Sequence, residues 1–438
     1  MVINADVCEY MKSSRIVSER GAHYWDEFLG GARRVLFLQG PIGPFFRYLQ
    51  KELEETYQLE TFKINFNHGD LYYHPLSEHC VNFTGEVTQF AGYLQEYITQ
   101  HNIDAVICFG DERIYHKVAR KLILDINASA GKEELTFWAF EEGYLRPHYI
   151  TFEKWGVNYN SRMSHYPRCA VDHHPKQDIN TMLNHDIKPV AAGFWPRAKM
   201  AMRYYWELRK GKKVFPNYKH HRETRISVYV FAWCLAGIRS VLYWQNERKV
   251  AQKIEMEQYG DFFVFPLQVH NDSQILHHGR GERIPGHIRS VIGSFAKYAN
   301  STDRLIIKHH PMDRGFNHYG RLITKVANKH GVADRVEYVF DVPMPVLLRA
   351  AKGVVVINST SGISALIHGL PVKVIGDAHY DHPNLTNDLN LKNFWLEYYT
   401  PDALLVRQYL VGLKGKSQIN GSFYHTDQLC MHFMSSGS

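Results

Sequence analysis

Along the first third of the chain, short apolar runs break off at polar or glycine-rich turns. Each then gives way to a segment with apolar residues every three or four positions. Arg34-Val35-Leu36-Phe37-Leu38 leads through Gln39-Gly40-Pro41-Ile42-Gly43-Pro44 into a stretch whose Phe46, Leu49 and Leu53 share one helical face. Ala105–Phe109 ends at Gly110-Asp111, and the spacing predicts a helix from about Tyr115 to Ile126. Thr136–Phe140 ends at Glu141-Glu142-Gly143. Runs this short and apolar suit strands buried on both faces, and their alternation with helices predicts a parallel sheet with helices on either side. In such sheets the ligand crevice lies beyond the carboxyl ends of the strands, where these polar turns fall.

The pattern changes near residue 175. Residues 178–256 are helical in spacing, basic and aromatic, with few strand signals. The alternation then resumes: Phe262–Phe265 precedes Pro266-Leu267-Gln268, Arg304–Ile307 precedes Lys308-His309-His310-Pro311, and Gly353–Ile357 precedes Asn358-Ser359-Thr360-Ser361-Gly362. The reading is α/β, with two Rossmann-like domains facing a central cleft. Residues 1–175 form the first domain, 176–256 a helical basic insert, and 257–385 the second domain. Residues 386–438 form a helical tail that packs back on the first domain.

Composition supports packed cores rather than disorder, with 45% hydrophobic and 22% charged residues in 438. The net charge of +7 is unevenly spread: Arg197–Arg225 holds ten Lys/Arg against Glu207 and Glu223. Such a block favours a polyanionic partner, and its plain alternative is a solvated helix face. Six scattered cysteines without a CxxC pair suggest free thiols in a reducing compartment. The acidic residues within 1–34 argue against a secretory leader. The longest apolar stretch, Ile226–Ile238, spans 13 residues, short of the roughly 20 needed to cross a bilayer, and reads as a buried or interfacial helix. The expected location is cytoplasmic.

Three turns carry candidate chemistry. In Glu141-Glu142-Gly143, two adjacent carboxylates at a strand end repel one another, which raises the pKa of one for proton transfer or leaves one as a nucleophile. Arg146 is placed to hold a carboxylate or bind an anionic substrate. The alternative is an exposed turn with an ordinary salt bridge. Lys308, His309, His310 and Pro311 end a strand where a phosphate can be met. Ser359, Thr360 and Ser361 precede a helix, and their hydroxyls serve as caps, as an anion site, or as both. Gln39, Gly40, Gly43 and Asp111 are weaker, acceptor-side candidates. Glu112 stands with Asp111, while His68, Asp70 and the stretch Gln268–Gln274 are weaker still, with Gln268 the donor-side candidate among them. No HExxH, no Cys/His ligand spacing and no P-loop is present, so neither a metal nor a cofactor is expected. The basic block permits nucleic acid, but without a recognition module none is expected.

Taken together, these turns resemble a family pattern. Glu141-Glu142-Gly143, His310-Pro311 and Ser359-Thr360 are similar, in order and in position, to the acidic-acidic-Gly, HP and paired Ser/Thr motifs of bacterial sialyltransferases and Kdo transferases of GT-B type. FLQGPIGPFF (Phe37–Phe46), EEGYLRP (Glu141–Pro147), PLQVHNDSQI (Pro266–Ile275) and NSTSGISALIHGLPV (Asn358–Val372) look like the KpsS/LipB-type capsule polysaccharide proteins. The resemblance runs from about residue 34 to about 385. It implies a retaining transfer of β-Kdo (3-deoxy-manno-octulosonic acid) from CMP-Kdo to a phosphatidylglycerol-type lipid at the inner membrane. His310, Ser359 and Thr360 would hold the CMP, and Glu142 would serve as nucleophile or base. Other capsule biosynthesis or export proteins are implied as partners. Related modules read Glu-Asp-Gly where this chain has Glu141-Glu142-Gly143. On this reading Trp195, Tyr204, Tyr205 and Trp206 among the basic residues would rest on anionic lipid. The alternatives are another CMP- or CDP-dependent transferase, such as a sialyltransferase or glycerophosphotransferase, or a non-catalytic export or lipid-binding subunit.

Overall fold

Val35, Leu36 and Phe37 are wholly buried on both faces of their strand, as a central parallel strand requires. The computed structural model describes residues 23–165, 183, 187–190, 193–220, 226–270, 279–425 and 427–432. In chain order it begins with α1 (Tyr24–Gly31), β1 (Arg34–Phe37), α2 (Phe45–Glu55), β2 (Glu60–Asn65), α3 (His68–Tyr73) and β3 (Cys80–Asn82). Then come α4 (Phe90–His101), β4 (Ala105–Phe109), α5 (Ile114–Ala130), β5 (Thr136–Glu142), β6 (Tyr149–Lys154), α6 (Phe194–Lys210) and α7 (Ile226–Glu255). The second half runs β7 (Phe262–Pro266), α8 (Ile284–Tyr298), β8 (Arg304–Lys308), α9 (Gly320–Lys329), β9 (Val336–Val339), α10 (Met344–Ala350) and β10 (Gly353–Val356). It closes with α11 (Ser361–Ile367), β11 (Val372–Val374), α12 (Leu391–Glu397), α13 (Ala403–Ser417), β12 (Gln418–Gly421) and β13 (Met431–His432).

The described residues fall into two units. The first draws on the described residues of 23–157, 187–220 and 413–432, the second on those of 158–183 and 226–412. The first sheet has the order β13-β12-β6-β5-β4-β1-β2-β3. Its β1 to β5 are parallel, while β6, β12 and β13 add antiparallel. The second sheet, β11-β10-β7-β8-β9, is parallel throughout. Both parallel sheets share one topology, in which the first and fourth strands lie side by side and the strand order reverses between them. Such a reversal opens a crevice at the carboxyl edge. Apolar clusters cover both faces of the first sheet, one around Leu36, Ile64 and Val106 and the other around Phe37, Phe140 and Phe152.

Several sequence expectations change here. Residues 176–256 do not form one insert, because α6 belongs to the first unit and α7 to the second. Residues 386–438 are not simply a helical tail. After α13 the chain adds β12 and β13 to the first sheet, where Gln418–Asn420 pair with Tyr149–Thr151 and satisfy the open edge of β6. Glu141 and Glu142 lie inside β5 rather than beyond it, because Thr151 and Ile150 of β6 pair with them. The apolar run at the start of α7 is not a buried helix, since Phe231 and Ile238 are exposed. Among the described residues no helix is long and apolar enough to cross a membrane.

Candidate functional site

In the first unit, the loops after β1 and β4 flank the reversal point. The sharp turn after β1 needs Gly43, whose φ is +125°. Arg113, at the end of the β4 loop, donates through Nη1 to the Gly40 carbonyl at 3.1 Å, and its guanidinium lies 5.2 Å from the Phe109 ring centroid. One basic side chain thus ties the two rims together. Neither Arg113 nor its partner was expected as a pair from the sequence. The only signal was a basic residue directly after Gly110-Asp111-Glu112.

The end of β5 supplies the carboxylates. Successive strand residues point to opposite faces, so Glu141 shares the face of Ala139 and Glu142 that of Phe140. The two side chains thus leave the strand on opposite faces, yet the Glu142 charge still reaches Glu141. Glu141 Oε2 lies 3.6 Å from where a Cβ on Gly110 would sit, and Oε1 accepts the Glu142 amide at 3.0 Å. Burial pushes the Glu141 carboxyl up to about 7. The Glu142 amide and the Arg113 charge oppose that rise, while the charges of Glu142 and Asp111 add to it. Glu142 instead accepts a hydrogen bond from Tyr424 Oη at 2.6 Å, and the Arg197 guanidinium stands 4.3 Å from the Tyr424 ring centroid. Tyr424 is 282 residues downstream of its partner, and nothing in the sequence links the two. Gly143 is obligatory, because a Cβ there would lie 2.1 Å from the Tyr149 carbonyl oxygen.

The other first-unit candidates are structural. Asp111 is 1% exposed, accepts from Arg120 Nη1 at 2.7 Å and from the Val157 amide at 3.3 Å. It braces the β4 loop rather than facing an acceptor. Gln39 is buried, with its amide donating to Tyr218 Oη at 2.9 Å, to Tyr204 Oη at 3.2 Å and to Asp70 Oδ2 at 3.2 Å. Tyr204 Oη in turn donates to Asp70 at 3.0 Å. Tyr204 and Tyr205 are thus buried, contrary to the expectation that they meet lipid. Arg146 is exposed, and its Nε donates to the Gly143 carbonyl at 3.2 Å rather than to a carboxylate.

In the second unit, the reversal point lies between β7 and β10, and Gln268 meets Asn358 across it (Nε2 to Oδ1, 3.0 Å). Ser359 Oγ accepts the Ser361 amide at 3.1 Å and donates to Ser361 Oγ at the same distance, so Ser359 rather than Thr360 caps α11. His310 caps the 3₁₀ turn Pro311–Asp313, its Nδ1 accepting from the Met312 amide at 3.2 Å. Asp313 is fully buried and takes His270 Nδ1 at 2.5 Å and Asn317 Nδ2 at 3.2 Å. That pair fixes the loop after β8 to the loop after β7. Asp313 was missed from sequence, being one acid in an unremarkable turn; residues 271–274 of the weaker candidate stretch lie outside the described residues.

Lys308 and His309 are drawn into the packing rather than the crevice. Lys308 Nζ donates to the Phe340 carbonyl at 3.0 Å, and burial lowers its pKa to about 8. His309 Nδ1 accepts from Tyr338 Oη at 2.6 Å, while burial holds the ring neutral with its pKa down at about 3. Lys308 is the last β8 residue paired with β9, and the His309 amide still donates to the Val339 carbonyl at 2.7 Å, so the chain leaves the sheet at His310.

A model of the capsule polysaccharide biosynthesis protein family matches residues 104–424. The capsule polysaccharide modification protein LipB of Neisseria meningitidis serogroup B is 42% identical over 401 residues, covering 90% of this chain and 93% of LipB. The capsule polysaccharide export protein KpsS of Escherichia coli is 37% identical over 395 residues, covering 90% of this chain and 97% of KpsS. Among solved structures, the beta Kdo 2,7 transferase of Thermosulfurimonas dismutans KpsC is similar at a TM-score of 0.40 and 12% identity, over 88% of this chain and 93% of that one.

Proposed function

The chain belongs to the capsule polysaccharide biosynthesis protein family, and on that premise we propose that it is a retaining glycosyltransferase moving β-Kdo from CMP-Kdo to a phosphatidylglycerol-type lipid. It works as a peripheral protein on the cytoplasmic face of the inner membrane, alongside other capsule proteins. The observation that carries the donor assignment is the Gln268–Asn358 contact at the reversal point of the second sheet. It sets Ser359, Thr360 and Ser361 beside a loop that His270 and Asp313 tie to His310. These are hydroxyl, amide and imidazole groups at the carboxyl edge, suited to a nucleotide phosphate. The sugar identity rests on the motif resemblance.

In the first unit, Glu142 acts as the nucleophile. Its oxygen bonds to the anomeric carbon as the carbon–phosphate oxygen bond breaks and CMP leaves. The acceptor hydroxyl oxygen then displaces Glu142, restoring the starting configuration. Tyr424 holds Glu142 in place. Glu141, titrating near 7, takes the hydroxyl proton, as a base poised near the working pH should.

Incubation of purified protein with CMP-Kdo and a fluorescent lyso-phosphatidylglycerol should release CMP and add one Kdo to the lipid by mass. Donor consumption with CMP-sialic acid or CDP-glycerol in its place would redirect the assignment. Absence of turnover with every donor would refute it. A second reading, a non-catalytic export subunit, draws on the printed name of KpsS. It requires that Glu142→Gln and His310→Ala variants retain full capsule assembly in cells.

A further inference from the structure

Helix α6 divides cleanly into two faces. Ala198, Met200, Tyr204, Tyr205 and Leu208 are buried against the first unit. Opposite them, Trp195, Lys199, Met202, Trp206 and Arg209 recur at intervals of four and three residues, which places them on one line along the helix. Trp195 is 69% exposed, Trp206 53% and Met202 44%. Tryptophan is on average among the well-buried residue types, so two on one solvent-facing line with a methionine between them call for a partner. The sole acidic residue between 194 and 213 is Glu207, which is buried and meets Arg203 at 3.1 Å and Lys210 at 3.6 Å. Lys199, Arg209, Lys212 and Lys213 remain on the exposed side.

We infer that this face of α6 docks on an anionic phospholipid surface, with Trp195, Met202 and Trp206 entering the interface and the basic residues meeting headgroup phosphates. An apolar line bordered by cations along one helix is the pattern of a helix lying in the plane of a membrane interface. Methionine, moreover, offers no flat ring on which a base could stack. The inference takes its biological sense from the lipid acceptor proposed above, but its physical basis is exposure and charge alone. The buried face adds a consequence. Tyr204 joins α6 to Gln39, the residue before Gly40, so the docking helix is fastened directly to the rim of the first-unit crevice.

Flotation of the full chain with phosphatidylcholine vesicles, with and without phosphatidylglycerol, tests this without any sugar donor. Binding should need phosphatidylglycerol and weaken with salt. Each basic residue near such a surface multiplies affinity roughly fivefold, so Lys199→Glu/Arg209→Glu/Lys212→Glu should weaken binding roughly a hundredfold or more. Trp195→Ala/Trp206→Ala should weaken it roughly tenfold through lost apolar contact. Both variants should keep the native melting midpoint and the native rate of CMP-Kdo transfer to a water-soluble acceptor. Equal binding to neutral vesicles, full binding by the triple variant, or preference for an RNA or DNA oligomer over anionic vesicles would each overturn the inference. Loss of transfer activity with native vesicle binding would instead count against the catalytic reading.

Discussion

Replacing Glu141 with Gln should make the protein more stable at pH 8 and much less active, a pairing that ordinary loss of a contact does not produce. In the unfolded chain this carboxyl titrates near 4.5, and in the folded protein near 7. Below pH 4.5 both states hold the proton, and the side chain contributes no pH-dependent penalty. As pH rises from 4.5 to 7 the unfolded state releases its proton first, so stability falls progressively. Above 7 the folded side chain ionises as well and the loss levels off. At about 1.4 kcal/mol per pH unit, the interval corresponds to about 3 kcal/mol. Gln has nearly the same shape, keeps an oxygen for the Glu142 amide and never ionises. The melting midpoint of the variant should therefore exceed that of the native protein by up to about 6–12 °C at pH 8, and the difference should vanish near pH 4. Transfer should meanwhile fall by roughly 10²–10⁴-fold if Glu141 moves the proton. A stability difference that does not change with pH, or a variant less stable at pH 8, would refute the argument that burial governs this carboxyl. Arg113→Met supplies a check of sign. Its positive charge lowers the Glu141 pKa, so the acidic limb of the native pH–rate profile should move upward on its removal.

Donor binding should separate His310 from its buried neighbour. His310→Ala should raise the CMP-Kdo KM by roughly ten- to a hundredfold, as expected for a lost hydrogen bond to a charged group. Lys308→Met should leave that KM unchanged, because Lys308 Nζ is committed to the Phe340 carbonyl; steady-state kinetics on both variants decides. Tyr204→Phe removes the hydroxyl shared by Gln39, Asn67 and Asp70. It should cost about 1–3 kcal/mol in urea unfolding, and an unchanged midpoint would contradict the buried network. Gly143→Ala sets a methyl against the Tyr149 carbonyl, so β5 and β6 must part locally. A loss of about 3 kcal/mol by denaturant titration is expected.

The apolar runs at 34–38, 105–109, 262–265, 304–307 and 353–357 were legible as strands, because a strand covered on both faces has almost no freedom in its residue types. The turns that follow them were legible as the chemically useful ends for the same reason, since a polar residue directly after such a run has nowhere to go but the sheet edge. Which of those polar residues remain available was decided elsewhere. Lys308 and His309 look like ligands in sequence, but Lys308 is still paired with β9 and the His309 amide still bonds to Val339, and their side chains are spent on Phe340 and Tyr338. Tyr204 and Trp206, two residues apart in one aromatic stretch, face opposite ways because helical spacing turns them so, and only packing against Asp70 says which is inside. Tyr424 reaches Glu142 only because the chain returns to close the edge of β6. Local pattern thus determined the strands and the positions of the reactive turns. The partners of each side chain, and with them charge state and exposure, depended on contacts between segments 29 to 282 residues apart, which no local pattern encodes.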